Sequence, residues 1–118
     1  MRLSQKNINK NLLKEVLGLL FQVVADVKKP EEAKIFLESL LSRSEVEAIA
    51  KRLAIGHYLD RGRSYQNIKE NLKVSSATIA TVDKIRKSPG FQLALKKIEA
   101  DQWATEWAER IQGLFKKK

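Results

Sequence analysis

No cysteine occurs among the 118 residues, which excludes disulfides, thiolate metal sites, iron–sulfur ligation and cysteine nucleophiles together. A single histidine, His57, leaves no second imidazole for a zinc site or a proton relay. Proline occurs twice and glycine five times, whereas sheet-rich folds need more turn punctuation, so long helices are expected. Runs of about 18 apolar residues are lacking, and with them any membrane span. The stretch from Val16 to Ala25 superficially resembles a secretory signal, but Lys14 and Glu15 abut it and Gln22 interrupts it. Also missing are a glycine-rich phosphate loop, G-x-S-x-G and H-E-x-x-H. Neither catalysis nor a metal or cofactor is therefore expected, and the absence of cysteine fits the cytoplasm.

What is present is charge of one sign. Lys and Arg number 23 against 14 Asp and Glu, giving a net charge of +9. Such an excess favours a polyanionic partner and says little about fold. With 43% hydrophobic residues, the chain has the size and composition of one domain. Met1 to Asn11 carries Arg2, Lys6 and Lys10 without an acid and reads as a flexible basic arm; residues 12–118 read as a single all-α domain.

Six helices are expected. From Leu12 to Val27 apolar residues occupy more than one helix face, so this helix should be buried on several sides, in a core or against a second subunit. Pro30 at the first helical position, followed by Glu31 and Glu32, opens the second, which stops at Ser42. Ser42 to Glu45 has the form of a capping box and opens the third, with Gly62 placed for a left-handed stop. Ser64 caps a fourth through Leu72, Ser75 or its neighbour a fifth from Ser76 to Lys87, and Ser88-Pro89 starts a last helix reaching Phe115. On that last helix Phe91, Leu95, Ile98, Trp103, Trp107, Ile111, Leu114 and Phe115 form an apolar stripe, most simply suited to dimer burial, less so to docking another protein or a membrane, and Glu99, Asp101, Glu106 and Glu109 on the polar side disfavour an anionic membrane.

Residues 64–87 have the spacing of a helix-turn-helix. Ile68 and Leu72 turn inward on the first helix, Val74 plugs the turn, and Ile79 and Val82 face inward on the second. Ser76, Ala77, Ala80 and Thr81 are left on the outer, N-terminal part of the second helix, small enough to let its backbone approach base edges in a major groove. Around them stand Arg63, Lys69, Lys73, Lys84, Arg86 and Lys87, against only Glu70 and Asp83. Lys73 occupies the turn position usually taken by glycine and must adopt a left-handed conformation at a cost of about 1 kcal/mol.

The chain resembles the Trp repressor superfamily, in particular its branch of small YerC/YecD-type proteins. The match runs from about Glu31 to Ile98. It rests on Leu41-Ser42, Glu45, Glu47-Ala48 and Arg52, on Leu59 with Arg61-Gly62, and on Ala77-Thr78-Ile79. The resemblance implies a six-helix fold, an intertwined homodimer and two recognition helices in successive major grooves. It places Ser76, Ala77 and Ala80 nearest the bases, and Gln66, Lys69 and Thr78 at or beside phosphates. Members that bind tryptophan grip the indole between two arginines, with a glycine beside the second. Here the first matches Arg52, the second is Thr81 and the glycine is Val82. Ser42 matches a pocket threonine, and Ile85 falls where a serine approaches the ligand. Bulky Val82 and Ile85 should fill the space a ligand needs, so dependence on L-tryptophan is not expected.

Competing assignments for single residues are structural. Arg52 fits a surface ion pair with Glu45 or Glu47, His57 fits packing within an apolar stripe, and Glu31-Glu32 complements a helix N-terminus. Together these features predict a cytoplasmic, homodimeric regulator of transcription that binds double-stranded DNA; that it acts as a repressor is implied by the resemblance alone. Two alternatives are an RNA-binding accessory module and a dimeric adaptor that uses the last helix.

Overall fold

The structure, a computed structural model, describes residues 8–116, with the side chains of 107 and 114–116 left aside. The first seven residues of the expected basic arm, and the side chains of Trp107, Leu114 and Phe115 on the expected stripe, lie outside the described residues. Among the described residues there are six helices and no strand: α1 (Lys10–Asp26), α2 (Pro30–Leu40), α3 (Arg43–Asp60), α4 (Tyr65–Leu72), α5 (Ser76–Ile85) and α6 (Pro89–Lys116). They fall into two compact units, Met1–Arg43 and Ser44–Lys118. No helix among the described residues is long and apolar enough to cross a membrane.

In the first unit, α1 begins at Lys10, two residues before the first apolar position. The side chain of Asn9 accepts from the amides of Asn11 at 2.9 Å and Leu12 at 3.3 Å, satisfying two donors that a helix start otherwise leaves open. Lys10 and Asn11, expected in the arm, thus form its first turn. Nine large apolar residues of α1, Leu12, Leu13, Val16, Leu17, Leu19, Leu20, Phe21, Val23 and Val24, are 40% to 68% exposed. Helix α2 starts without a side-chain cap; Pro30 at its first position removes one donor that would otherwise lack a partner and presets φ, and Glu31 and Glu32 in the first turn suit the helix dipole.

The second unit builds its core from α3, α4 and α5. Ile55, Ile68 and Ile79 are fully buried and Val82 is 1% exposed, with Tyr58, Leu59, Leu72, Val74 and Phe91 packed around them. Gly56 lets the first turn of α6 close against α3, because a Cβ at that position would overlap the Phe91 ring. The end of α3 follows the expected left-handed stop. Gly62 has φ 82, its amide bonds to the Leu59 carbonyl at 3.0 Å, and the Arg63 amide reaches back to Tyr58 at 3.0 Å.

Helix α5 stops at Ile85, two residues before the expected Lys87. The Ser88 amide donates to the Ile85 carbonyl at 3.0 Å, an i to i+3 bond that tightens the chain. Gln92 on α6 then donates to the Arg86 carbonyl at 2.6 Å, so this carbonyl is served from the next helix rather than by a continuation of α5.

Candidate nucleic-acid interface

Helices α4 and α5 are joined by Lys73, Val74 and Ser75, and each junction is fixed by local chemistry. Ser64 caps α4 by accepting from the Asn67 amide at 3.1 Å. Lys73 takes the left-handed conformation, φ 56 and ψ 50, and its amide bonds to the Lys69 carbonyl. Ser75 caps α5 by accepting from the Thr78 amide at 3.1 Å, and its hydroxyl also pairs with that of Thr78 at 2.9 Å. Ile68, Leu72, Val74, Ile79 and Val82 point into the core as their spacing predicts.

On α5, Ser76, Ala77 and Thr81 are exposed and Ala80 is half-buried. Lys69, Lys73 and Lys84 are exposed as well. Other residues expected at phosphates have partners within the chain. The Gln66 amide donates to Glu70 at 2.6 Å, and the Arg63 guanidinium lies over the Tyr58 ring at 4.0 Å, a cation–π contact worth about 0.5–1 kcal/mol at an exposed site. The Thr78 hydroxyl is held by Ser75.

The expected pocket residues are arranged differently. Val82 is part of the core, whereas Ile85, expected to fill the same space, stays 42% exposed. Arg52 on α3 and Thr81 on α5 are exposed, and the Thr81 hydroxyl donates to the Ala77 carbonyl at 3.0 Å. Ser42 belongs to the first unit, between α2 and α3. None of these residues lines the 380 Å³ cleft formed by Arg61, Asp101, Gln102, Thr105 and Glu106. His57, half-buried, meets Gln102 of α6 at 3.3 Å.

A polar clasp that spacing did not reveal ties three helices together. Tyr65 at the start of α4 donates its hydroxyl to Asp83 of α5 at 2.8 Å. Arg86 donates to the other Asp83 oxygen at 2.7 Å and lies 3.5 Å from Asp60 at the end of α3. Two charges counted toward the basic face, Arg86 and the opposing Asp83, are therefore engaged with one another. The i,i+3 spacing of that pair is readable in the sequence; the Tyr65 link, 18 residues away, is not.

The clasp makes stability depend on pH in both directions. The hydrogen bond from Arg86, then that from Tyr65, hold the Asp83 carboxyl below the ordinary carboxylate range. Its contribution is present above the unfolded value of about 4 and is lost as pH falls through the lower folded value. The hydrogen bond to Asp83 raises the Tyr65 phenol above its ordinary value, so that contribution is present below pH about 10 and lost as pH rises through the folded value. Thermal melts across pH should therefore show a shallower acid-side decline for Asp83→Asn than for the wild type, and a shallower alkaline decline for Tyr65→Phe. Unchanged slopes in both variants would remove the clasp from the stability of this site.

Lys73 allows a test in which stability rises as positive charge is lost. Glycine there relieves a left-handed penalty of about 1–2 kcal/mol and adds unfolded-chain entropy of about 0.4–1 kcal/mol. Lys73→Gly should raise stability by about 0.5–1 kcal/mol, a few degrees in Tm, while removing one cation from the face expected to meet a polyanion. A lower Tm would contradict the strain argument.

Comparison with known proteins places this geometry in context. The family model described as Trp repressor protein matches residues 15–99, so α6 continues past the matched region to Lys116. An uncharacterized protein from Bacillus subtilis, YerC, is 27% identical over 85 residues, covering 70% of this chain and 82% of that protein. The crystal structure of a TrpR like protein from Eubacterium eligens superposes with a TM-score of 0.69 at 25% identity, covering 77% of this chain and 96% of that one.

Proposed function

Because the chain belongs to the Trp repressor family, a family of helix-turn-helix DNA-binding regulators, we propose that it is a cytoplasmic, homodimeric, sequence-specific repressor of transcription acting on double-stranded DNA. The observation that carries this reading is the pairing of a small-residue face on α5 with the exposed cations Lys69, Lys73 and Lys84. An α-helix bearing small side chains fits a major groove about 12 Å wide, and the lysines serve the phosphates on either side. Phosphate contacts position the protein and base contacts specify. Affinity is accordingly assigned to Lys69, Lys73 and Lys84, with Arg63, Gln66 and Thr78 as further backbone neighbours, and sequence choice to Ser76, Ala77, Ala80 and Thr81.

Dimerisation is supported by α1. Its nine exposed apolar residues form a larger apolar surface than a solvated helix normally presents, the mark of a protein–protein contact. An isologous dimer presents two copies of α5 to half-sites about one helical turn apart. Control by L-tryptophan is not part of this reading: Thr81 and Val82 replace the arginine and glycine of tryptophan-binding relatives, and Val82 is committed to the core.

Competition binding separates duplex DNA from RNA, since the A-form major groove is too narrow to admit a helix. A labelled duplex should be displaced by excess unlabelled duplex and not by structured RNA. Preferential displacement by RNA would replace this reading with that of an RNA-binding module.

A further inference from the structure

The face of α5 opposite the core has an unusual chemistry. Ile79 and Val82 are its buried positions. At 100° per residue, the opposite side consists of Ala77, Ala80, Thr81 and Lys84, an i, i+3, i+4, i+7 stripe. Over its first two turns the stripe carries no Arg, Asn, Gln, Asp or Glu, the side chains that read guanine, adenine or cytosine through directed hydrogen bonds.

Of the nearby hydroxyl groups, those of Ser75, Thr78 and Thr81 are also committed, and Ser76 lies at the first position of the helix, to one side of the stripe. Thr81 directs its hydroxyl proton onto the Ala77 carbonyl at 3.0 Å. The hydroxyls of Ser75 and Thr78 are bonded to one another at 2.9 Å. What the centre of the face presents is methyl groups, the Cβ atoms of Ala77 and Ala80 beside the methyl of Thr81. Among the four bases only thymine answers with a methyl group in the major groove, and small apolar side chains are its usual partners. Thr81 Oγ1 retains lone pairs that accept from the adenine N6 amino group of the same base pair.

We infer that Ala77 and Ala80 are specificity-determining residues that select half-sites by the 5-methyl groups of thymine, with Lys84 at the end of the stripe engaging the adjoining phosphate. The inference rests on the DNA-binding reading above and makes it narrower: the substrate class is duplex DNA with A·T pairs at the centre of each half-site. Guanine and cytosine are disfavoured at the centre because Ala77, Ala80 and Thr81 offer no free donor to the guanine acceptors, the Lys84 ammonium stands at the far end of the stripe, and cytosine has no methyl to bury.

The test uses the operator selected from random duplexes by the full-length protein, remade with deoxyuridine for thymine at one position at a time. Uracil keeps the Watson–Crick pairing and lacks only the methyl. Burying one such group is worth a factor of about four in affinity, so each contacted thymine should show about a fourfold loss and distant thymines none. Ala77→Ser with Ala80→Ser should bring the thymine-to-uracil ratio close to one; the single variant Ala80→Gly, melted in parallel to confirm folding, provides a second reading. Sequence-specific binding indifferent to uracil would overturn the inference and leave the DNA-binding function standing. Thymine sensitivity undiminished in folded variants would overturn the assignment to Ala77 and Ala80. Failure to select any duplex sequence would overturn both.

Discussion

Replacing Lys69 by Ala together with Lys73 by Gly should reduce affinity for duplex DNA by about 10²–10³-fold near physiological salt, while the protein remains folded. Both lysines are exposed, so no packing is lost, and glycine at 73 suits the left-handed φ of 56. Each phosphate contact releases counterions, with a slope of roughly 0.9 in log affinity against log salt. Two lysines per protomer, counted twice in a dimer, should make that slope less steep by about 3 to 4. Equilibrium titrations at several salt concentrations read both quantities. An unchanged slope would mean that these lysines do not face the phosphates, and an adaptor function would be untouched by the change.

Replacing Leu19 and Phe21 by Glu should abolish the dimer and, with it, specific DNA binding. These side chains are 68% and 64% exposed in the single chain, so carboxylates there cost the isolated protomer little. Across a two-fold interface the same change buries four unpaired charges, each opposed by several kcal/mol of desolvation. Sedimentation at micromolar concentration should give a dimer for the wild type and a folded monomer for the variant. A dimer that survives both charges would place the contact elsewhere than on α1. A wild-type monomer would remove the two-half-site mechanism.

Much of the fold was legible because the signals were local. The inward set Ile68, Leu72, Val74, Ile79 and Val82 follows from helical periodicity alone, and Ser64, Ser75 and Gly62 mark boundaries through capping and left-handed stops. Even the strained Lys73 could be read, since a tight turn requires a positive φ at that place. Two boundaries were displaced for identifiable reasons. The helix α1 starts at its Asn9 cap rather than at its first apolar residue, and α5 ends where Gln92 takes over the Arg86 carbonyl.

Of the candidate site, spacing supplied the outer face of α5 but not the internal commitments of its neighbours. Arg63 lies against Tyr58 and Arg86 is shared by Asp83 and Asp60, so a count of charges overstated the cations available to a phosphate. The Arg63–Tyr58 and Arg86–Asp60 contacts leave no periodic trace in the sequence. The Asp83–Arg86 and Gln66–Glu70 pairs do, as i,i+3 and i,i+4 contacts open to inspection there.

The most direct test of the central claim is equilibrium selection from a randomised duplex library, sequenced after retention, at several salt concentrations and with and without L-tryptophan. The predicted result is a two-fold symmetric motif with A·T pairs at the centre of each half-site, an affinity that falls steeply with salt, and indifference to tryptophan. Retention without any enriched sequence would contradict a sequence-specific regulator, and enrichment only in the presence of tryptophan would contradict the reading of Thr81 and Val82.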